Sequence, residues 1–123
     1  MSYLTDRKRA AGLGSAKTGT EHAWHMQMTS WILLILVPLF LIAFGPIVGE
    51  PYEAVLAHFA RPFPTLVTAA MLIVGMNHFR HGVQTVIEDY TQGGTRKLLI
   101  IAMVGVSYGI MAVGLYALAR MAF

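Results

Sequence analysis

Three apolar stretches of bilayer length limit this sequence to a helical membrane fold. They cover about residues 24–48, 64–89 and 97–121. Crossing a hydrocarbon core takes about 20 helical residues, because each residue rises 1.5 Å along the helix axis. Strands of a membrane barrel would be shorter and would alternate polar with apolar residues, which these stretches do not. The sequence therefore predicts an all-α integral membrane protein with three transmembrane helices.

The composition supports a membrane protein and narrows the chemistry. Of the 123 residues, 56% are hydrophobic and 12% are charged, against roughly 25% charged in soluble domains. The chain has no cysteine, so disulfides and thiolate metal sites are excluded and histidine is its only good haem ligand. The basic residues form no clustered patch, so we expect no nucleic-acid partner.

The domain organisation is predicted as a polar N-terminal leader, residues 1–22, followed by a three-helix transmembrane anchor, residues 23–123. The leader lacks an apolar segment directly after its basic residues, so it does not resemble a cleaved signal. Pro38 is predicted to kink the first span. The first connection is expected to hold a short surface helix over residues 52–60, and the second, "EDYTQGGTRK", to be a tight Gly-Gly turn joining an antiparallel hairpin.

The distribution of lysine and arginine predicts the orientation of the spans in the membrane. The leader and the second connection carry most of them: Arg7, Lys8, Arg9, Lys17, Arg96 and Lys97. The first connection has Arg61, and Arg120 lies near the C-terminus. Basic residues accumulate on the cytoplasmic side, so we expect the N-terminus and the second connection to be cytoplasmic and the C-terminus to lie outside.

The second span contains an unusually polar segment, "MNHFRHGVQTVIEDY", with one face that suggests a ligand site. At 100° per residue, Gly75, His78, Gly82 and Asp89 fall within about 60° of one another. Two glycines beside a histidine suit a flat porphyrin, with His78 as an axial ligand. The same face also suits helix packing through small residues, with His78 bonded to a neighbour. Both interpretations remain open, and His81, one turn away, is the competing ligand.

Two further polar groups of this span have alternative interpretations. Arg80, Gln84 and Glu88 form a ridge on the opposite side of the helix, which predicts a polar seam against another helix, or an Arg80 contact to a haem propionate. Asp89 and Tyr90 stand where the span leaves the hydrocarbon. Tyr90 is typical of an interfacial anchor, and a phenol beside a carboxylate also suits a quinone pocket, where the hydroxyl donates a hydrogen bond and the acid relays protons.

The pattern H-x3-G-x6-D-Y, formed by His78, Gly82, Asp89 and Tyr90, resembles the small membrane anchor subunits of succinate dehydrogenase, respiratory complex II. The stretch "LGSAKTGTEHAWHMQMTS" also resembles the segment before the first helix in anchors from alpha-proteobacteria and mitochondria. The resemblance covers the chain from about Leu13 onward and includes its length and number of spans.

The resemblance implies a specific set of partners and cofactors. The chain would assemble with a larger cytochrome b anchor, an iron-sulfur subunit and a flavoprotein subunit, and would carry no catalytic residue for succinate. His78 would ligate the iron of haem b, with the second histidine from the larger anchor. Tyr90 would hydrogen-bond the substrate ubiquinone, with Asp89 beside it. The location would be the bacterial inner membrane, with the mitochondrial inner membrane as the alternative.

One departure from the family pattern and several alternative functions accompany this interpretation. Gln27 stands where many family members carry an arginine near the propionates or the quinone, and Arg80 would have to supply that charge. His22 and His25 are expected to be structural or interfacial. An anchor of a quinol:fumarate reductase, a haem-free transport or proton-path subunit and a purely structural anchor are the alternatives.

Overall fold

A computed structural model describes residues 3–14 and 18–123. All regular secondary structure within these residues is helical. A short helix α1, Asp6–Ala11, precedes α2, Glu21–Phe44, which is extended by a 3₁₀ turn at Gly45–Ile47. Helix α3 is Tyr52–Phe59, α4 is Pro62–Tyr90 and α5 is Gly93–Ala122. The short α1 is exposed throughout and is capped by Thr5, whose side chain accepts a hydrogen bond from the backbone N–H of Lys8 at 3.3 Å.

The three long helices α2, α4 and α5 are long and apolar enough to cross a membrane, which confirms the predicted fold class. Helix α4 lies between the other two and packs against both, whereas α2 and α5 do not meet within the described residues. The predicted spans overlap these helices, and α2 begins a little earlier than expected, at Glu21. Pro38 lies inside α2, which continues past it to Phe44.

The predicted surface helix is present as α3 and is tied to the end of α2. Phe59 is buried and its ring lies 6.0 Å from that of Phe44. His58 bridges two elements: Nδ1 accepts from the Arg61 guanidinium at 2.6 Å, so Nε2 donates to the carbonyl of Ala43 at 2.7 Å. Helix α4 starts directly afterwards at Pro62, a residue that suits the first turn because its missing N–H would be unpaired there.

The hairpin between α4 and α5 is tighter than the sequence suggests. Only Thr91 and Gln92 separate the two helices, and both glycines belong to the first turn of α5. Gly93 has φ of +63°, a left-handed conformation that glycine adopts without steric cost. The turn therefore needs its first glycine for backbone conformation.

Very little of this chain is buried within itself. Among the described residues, the buried apolar ones are few and scattered along the helices: Ala43, Phe59, Pro64, Val67, Met103 and Leu118. Large apolar side chains such as Ile35, Leu41 and Ile101 are exposed on the spanning helices. An isolated soluble fold would not leave such surface open, so lipid or other subunits must cover it.

Candidate functional site

His78 lies near the middle of α4 and is joined to α2 by a hydrogen bond. Its Nδ1 is 2.8 Å from Oγ1 of Thr29, and Thr29 is only 8% exposed. His78 is therefore hydrogen-bonded to a neighbouring helix, as one of the two interpretations expects, through its Nδ1. The contact uses Nδ1 and leaves Nε2 available, so it does not exclude a ligand role.

The two glycines on the His78 face are not required by packing inside this chain. A Cβ at Gly82 would lie 3.8 Å from Cε of Met26 on α2, and a Cβ at Gly75 would lie 3.8 Å from Cε of Met71 on α4 itself. Both are ordinary van der Waals distances. Both glycines are half-buried, Gly82 against Met26 of α2, and a Cβ at either position would displace no neighbour.

Asp89 and Tyr90 form a second polar level at the end of α4, well separated from His78. Both are exposed, Tyr90 to 85% of its surface. Tyr90 lies twelve residues beyond His78, an axial distance of about 18 Å. Within this chain the phenol has no contact with His78, so the two levels form two separate candidate sites.

Arg96 binds the carbonyl groups at the end of α4. From the sequence, Arg96 serves only to predict the orientation in the membrane. Its Nε donates to the carbonyl of Thr91 and its Nη2 to the carbonyl of Glu88, each at 2.8 Å. Thr91 Oγ1 donates to the carbonyl of Ile87 at 2.6 Å. Carbonyls at a helix C-terminus lack partners within the helix, and a cation there also complements the helix dipole. The signal in the sequence was a basic residue shortly after a helix end, since Arg96 follows Tyr90 by six residues and lies in the first turn of α5.

His81 does not share the hydrogen bond of His78 to Thr29; it lies instead in a cluster of imidazole rings. Its Nδ1 donates to the carbonyl of Asn77 at 2.8 Å. Its ring centroid lies 4.2 Å from that of His25 and 5.4 Å from that of His22, both on α2. His22 and His25 are exposed, which fits the expected structural or interfacial role.

The polar ridge of Arg80, Gln84 and Glu88 makes two separate sets of contacts. Gln84 Nε2 donates to Glu88 Oε1 at 2.8 Å, within α4 itself. Arg80 packs against α5, with its guanidinium carbon 5.4 Å from the ring centroid of Tyr108. The Nε atom of Arg80 is buried and has no hydrogen-bond partner among the described residues.

The position of Arg80 bears on its suggested propionate contact. Arg80 is two residues from His78, about 200° around the helix axis, so it points toward α5 whereas His78 points toward α2. Gln27, at the family's usual arginine position, is exposed on α2. Neither side chain is placed beside His78 by contacts within this chain.

An apolar groove of about 540 Å³ opens where α4 is flanked by α2 and α5. Its lining includes Phe44, Gly75, Phe79 and Leu118. Thr68 also lines this groove, and its buried Oγ1 has no hydrogen-bond partner among the described residues. Gly75 thus belongs to the groove as well as to the helix face that carries His78.

A metal ion held by several side chains of this chain is not indicated. Residues 3–14 and 18–123 contain no group of three or more His, Cys, Asp or Glu side chains placed to hold one. An axial haem ligand needs only one histidine from each side of the iron. The absence concerns groups of three or more side chains, so it does not bear on a single ligand such as His78.

Comparison with known proteins identifies the family of this three-helix chain. Residues 1–113 match the model of the succinate dehydrogenase/fumarate reductase transmembrane subunit. The chain belongs to this family. The family membership agrees with the resemblance carried by His78, Gly82, Asp89 and Tyr90.

The anchor is also similar to two curated relatives. It is 50% identical over 121 residues to the succinate dehydrogenase hydrophobic membrane anchor subunit of Paracoccus denitrificans, covering 98% of this chain and 94% of the relative. It is 32% identical over 97 residues to the protein of the same name from Rickettsia bellii (strain RML369-C), covering 77% of each chain. No solved structure matches the anchor significantly.

Proposed function

We propose that this succinate dehydrogenase-type anchor holds haem b through His78 and contributes Tyr90 and Asp89 to a ubiquinone-reduction site. One observation carries the proposal: a hydrogen bond at Nδ1 orients the His78 ring and leaves its Nε2 available. The neighbouring Gly75 and Gly82 add no side chain to this face of α4. A haem bound by two histidines would hold one electron at a time. The second histidine would come from the larger cytochrome b anchor.

The end of α4 suits the quinone for chemical reasons. The exposed phenol of Tyr90 would donate a hydrogen bond to a quinone carbonyl, and Asp89 beside it would pass on protons that accompany the electrons. Arg96 holds the last carbonyls of α4 and so limits the movement of this end. Succinate itself would be oxidised in the flavoprotein subunit and electrons would arrive through the iron-sulfur subunit.

The orientation proposed here places this end of α4 on the cytoplasmic side of a bacterial inner membrane. The excess of lysine and arginine in residues 1–22 and around Arg96 supports this side. The iron-sulfur subunit would then dock where Tyr90 is exposed. The exposed apolar faces of α2 and α5 would contact lipid and the larger anchor.

The test is to purify the complex through a tag on this chain and to record reduced-minus-oxidised spectra together with succinate-driven ubiquinone reduction. We expect a b-type haem signal that disappears in His78→Ala and persists in His81→Ala. A wild-type complex without haem would contradict the proposal and favour a packing or proton-path role for His78. Haem that survives in His78→Ala but not in His81→Ala would identify His81 as the haem ligand.

An anchor of a quinol:fumarate reductase is the second candidate, because the matched family model covers both enzymes. The same purified complex distinguishes the two. We expect succinate oxidation with ubiquinone to be faster than fumarate reduction with a low-potential quinol. The reverse ratio would favour the fumarate reductase anchor.

A further inference from the structure

Thr29 makes the only hydrogen bond between helices that the structure shows for the His78 ring among the described residues. Its Oγ1 lies 2.8 Å from His78 Nδ1, 2.9 Å from the carbonyl of His25 and 3.1 Å from the carbonyl of Met26. Thr29 is 8% exposed, so the residue is largely shielded from solvent. Within the described residues, these three atoms are the hydrogen-bond partners of its hydroxyl.

The hydrogen bonds of Thr29 are compatible with the tautomer of His78 that a metal at Nε2 needs. The hydroxyl is placed to donate its proton within α2, to the carbonyl of His25 or Met26. In that arrangement the hydroxyl oxygen accepts from His78, with the imidazole proton on Nδ1. A neutral imidazole protonated at Nδ1 carries its lone pair on Nε2, and that lone pair is what a metal binds.

We propose that Thr29 is a positioning residue that presents Nε2 of His78 as the iron-binding nitrogen and makes that imidazole a stronger electron donor. The inference rests on the haem function proposed above. Metal-bound histidines usually donate their other N–H to an oxygen, which fixes the ring and raises its basicity. Thr29 would do this across the packed pair α2 and α4.

Loss of the Thr29 oxygen as a hydrogen-bond acceptor should shift the midpoint potential of the haem in one direction. Without it, the imidazole donates less electron density, so the oxidised iron loses more stabilisation than the reduced iron and the midpoint potential of the haem rises. Removal of such a partner typically weakens metal binding about 10- to 100-fold. A side chain that merely packed at this position would not change the potential.

The experiment compares Thr29→Val, which keeps the shape without the acceptor, with Thr29→Ser, which keeps the hydroxyl. The whole complex is purified, and three quantities are measured: the midpoint potential of the haem, the EPR signal of its oxidised form, and the rate of haem loss to excess apomyoglobin. We expect a raised potential, an altered EPR signal and about 10- to 100-fold weaker haem retention in Thr29→Val, with values near wild type in Thr29→Ser.

The matched control is Thr85→Val, because Thr85 donates to the carbonyl of His81 at 3.1 Å in the same manner but is exposed on α4. Thr85→Val should leave potential and spectrum unchanged. If Thr29→Val fails to assemble, Thr29→Cys, with its weak acceptor, should give a shift of the same sign. Unchanged potentials in the assembled variant would overturn the role of Thr29 and leave the haem proposal intact, whereas a haem-free wild type would overturn both.

Discussion

Helices α4 and α5 are neighbours of nearly equal length, yet they meet the membrane in different ways. Helix α4 is the least apolar of the three spans, whereas α5 has no charged residue between Lys97 and Arg120. Several polar side chains of α4 are hydrogen-bonded: His78 with Thr29, His81 with Asn77 and Gln84 with Glu88. The buried Oγ1 of Thr68 and Nε of Arg80 have no partner among the described residues. The difference shows that the most polar span is the one that lies between the other two. Polar residues within a membrane span are candidates for function.

The largest effect is expected from a charge on the apolar helix. Val106 is exposed near the middle of α5, and Val106→Asp should cost about 3 kcal/mol of insertion free energy. We expect strongly reduced abundance of the chain in membranes, measured by quantitative immunoblot of the membrane fraction, with Val106→Leu unchanged. Normal abundance of the Asp variant would show that this face of α5 is not apolar in its environment.

The contact between the two helices provides the next test. A Cβ at Gly114 of α5 would lie 2.5 Å from Cδ2 of Leu72 on α4, so Gly114→Val must displace that side chain. We expect a loss of about 1–3 kcal/mol from overpacking, seen as a lower thermal midpoint of the purified complex. Gly105→Val is the control, since a Cβ there meets nothing within 4 Å. Equal midpoints for the two variants would mean that Leu72 moves aside without cost.

A third comparison uses one phenol from each helix. Tyr90→Phe removes the hydroxyl at the end of α4, and loss of one hydrogen bond to the quinone, about 1 kcal/mol, should reduce kcat/KM for ubiquinone roughly fivefold. Haem content should not change. Tyr116→Phe, at an exposed position of α5, should have no effect on either quantity. A Tyr90→Phe complex with wild-type quinone kinetics would reduce Tyr90 to an interfacial anchor.

The smallest effect is expected at the turn that joins the helices. Arg96→Ala removes both hydrogen bonds to the end of α4, with an expected loss of about 1 kcal/mol in stability. The freed end should also raise the KM for ubiquinone modestly while leaving the haem spectrum intact. Lys97→Ala, the neighbouring charge, controls for the change in net charge. A stability loss as large in Lys97→Ala would assign the effect to charge and not to the cap.

Much of the fold was predictable from the sequence, because membrane spans are defined by length and apolarity alone. The three spans, the short helix near residues 52–60 and the hairpin are all present. The sequence was less accurate at the turn, where Gly93 and Gly94 belong to α5. Glycine is compatible with both a turn and a first helical turn, so residue type alone could not separate them.

The candidate site shows where prediction from the sequence stops. Helical periodicity placed His78, Gly82 and Asp89 on one face and Arg80 on the other, because 100° per residue is a property of the helix itself. It could not identify the partner of His78, the packing of Arg80 on Tyr108, or the imidazole cluster of His22, His25 and His81.

The sequence by itself determined an all-helical membrane chain and the residues proposed to carry its chemistry, since apolar length and helical period act locally along the chain. The tertiary structure alone decided that Thr29 meets His78 and that Arg96 closes the end of α4. Thr29 and His78 are 49 positions apart. Such contacts depend on how two helices rotate and slide as they pack, which no periodicity within one helix specifies.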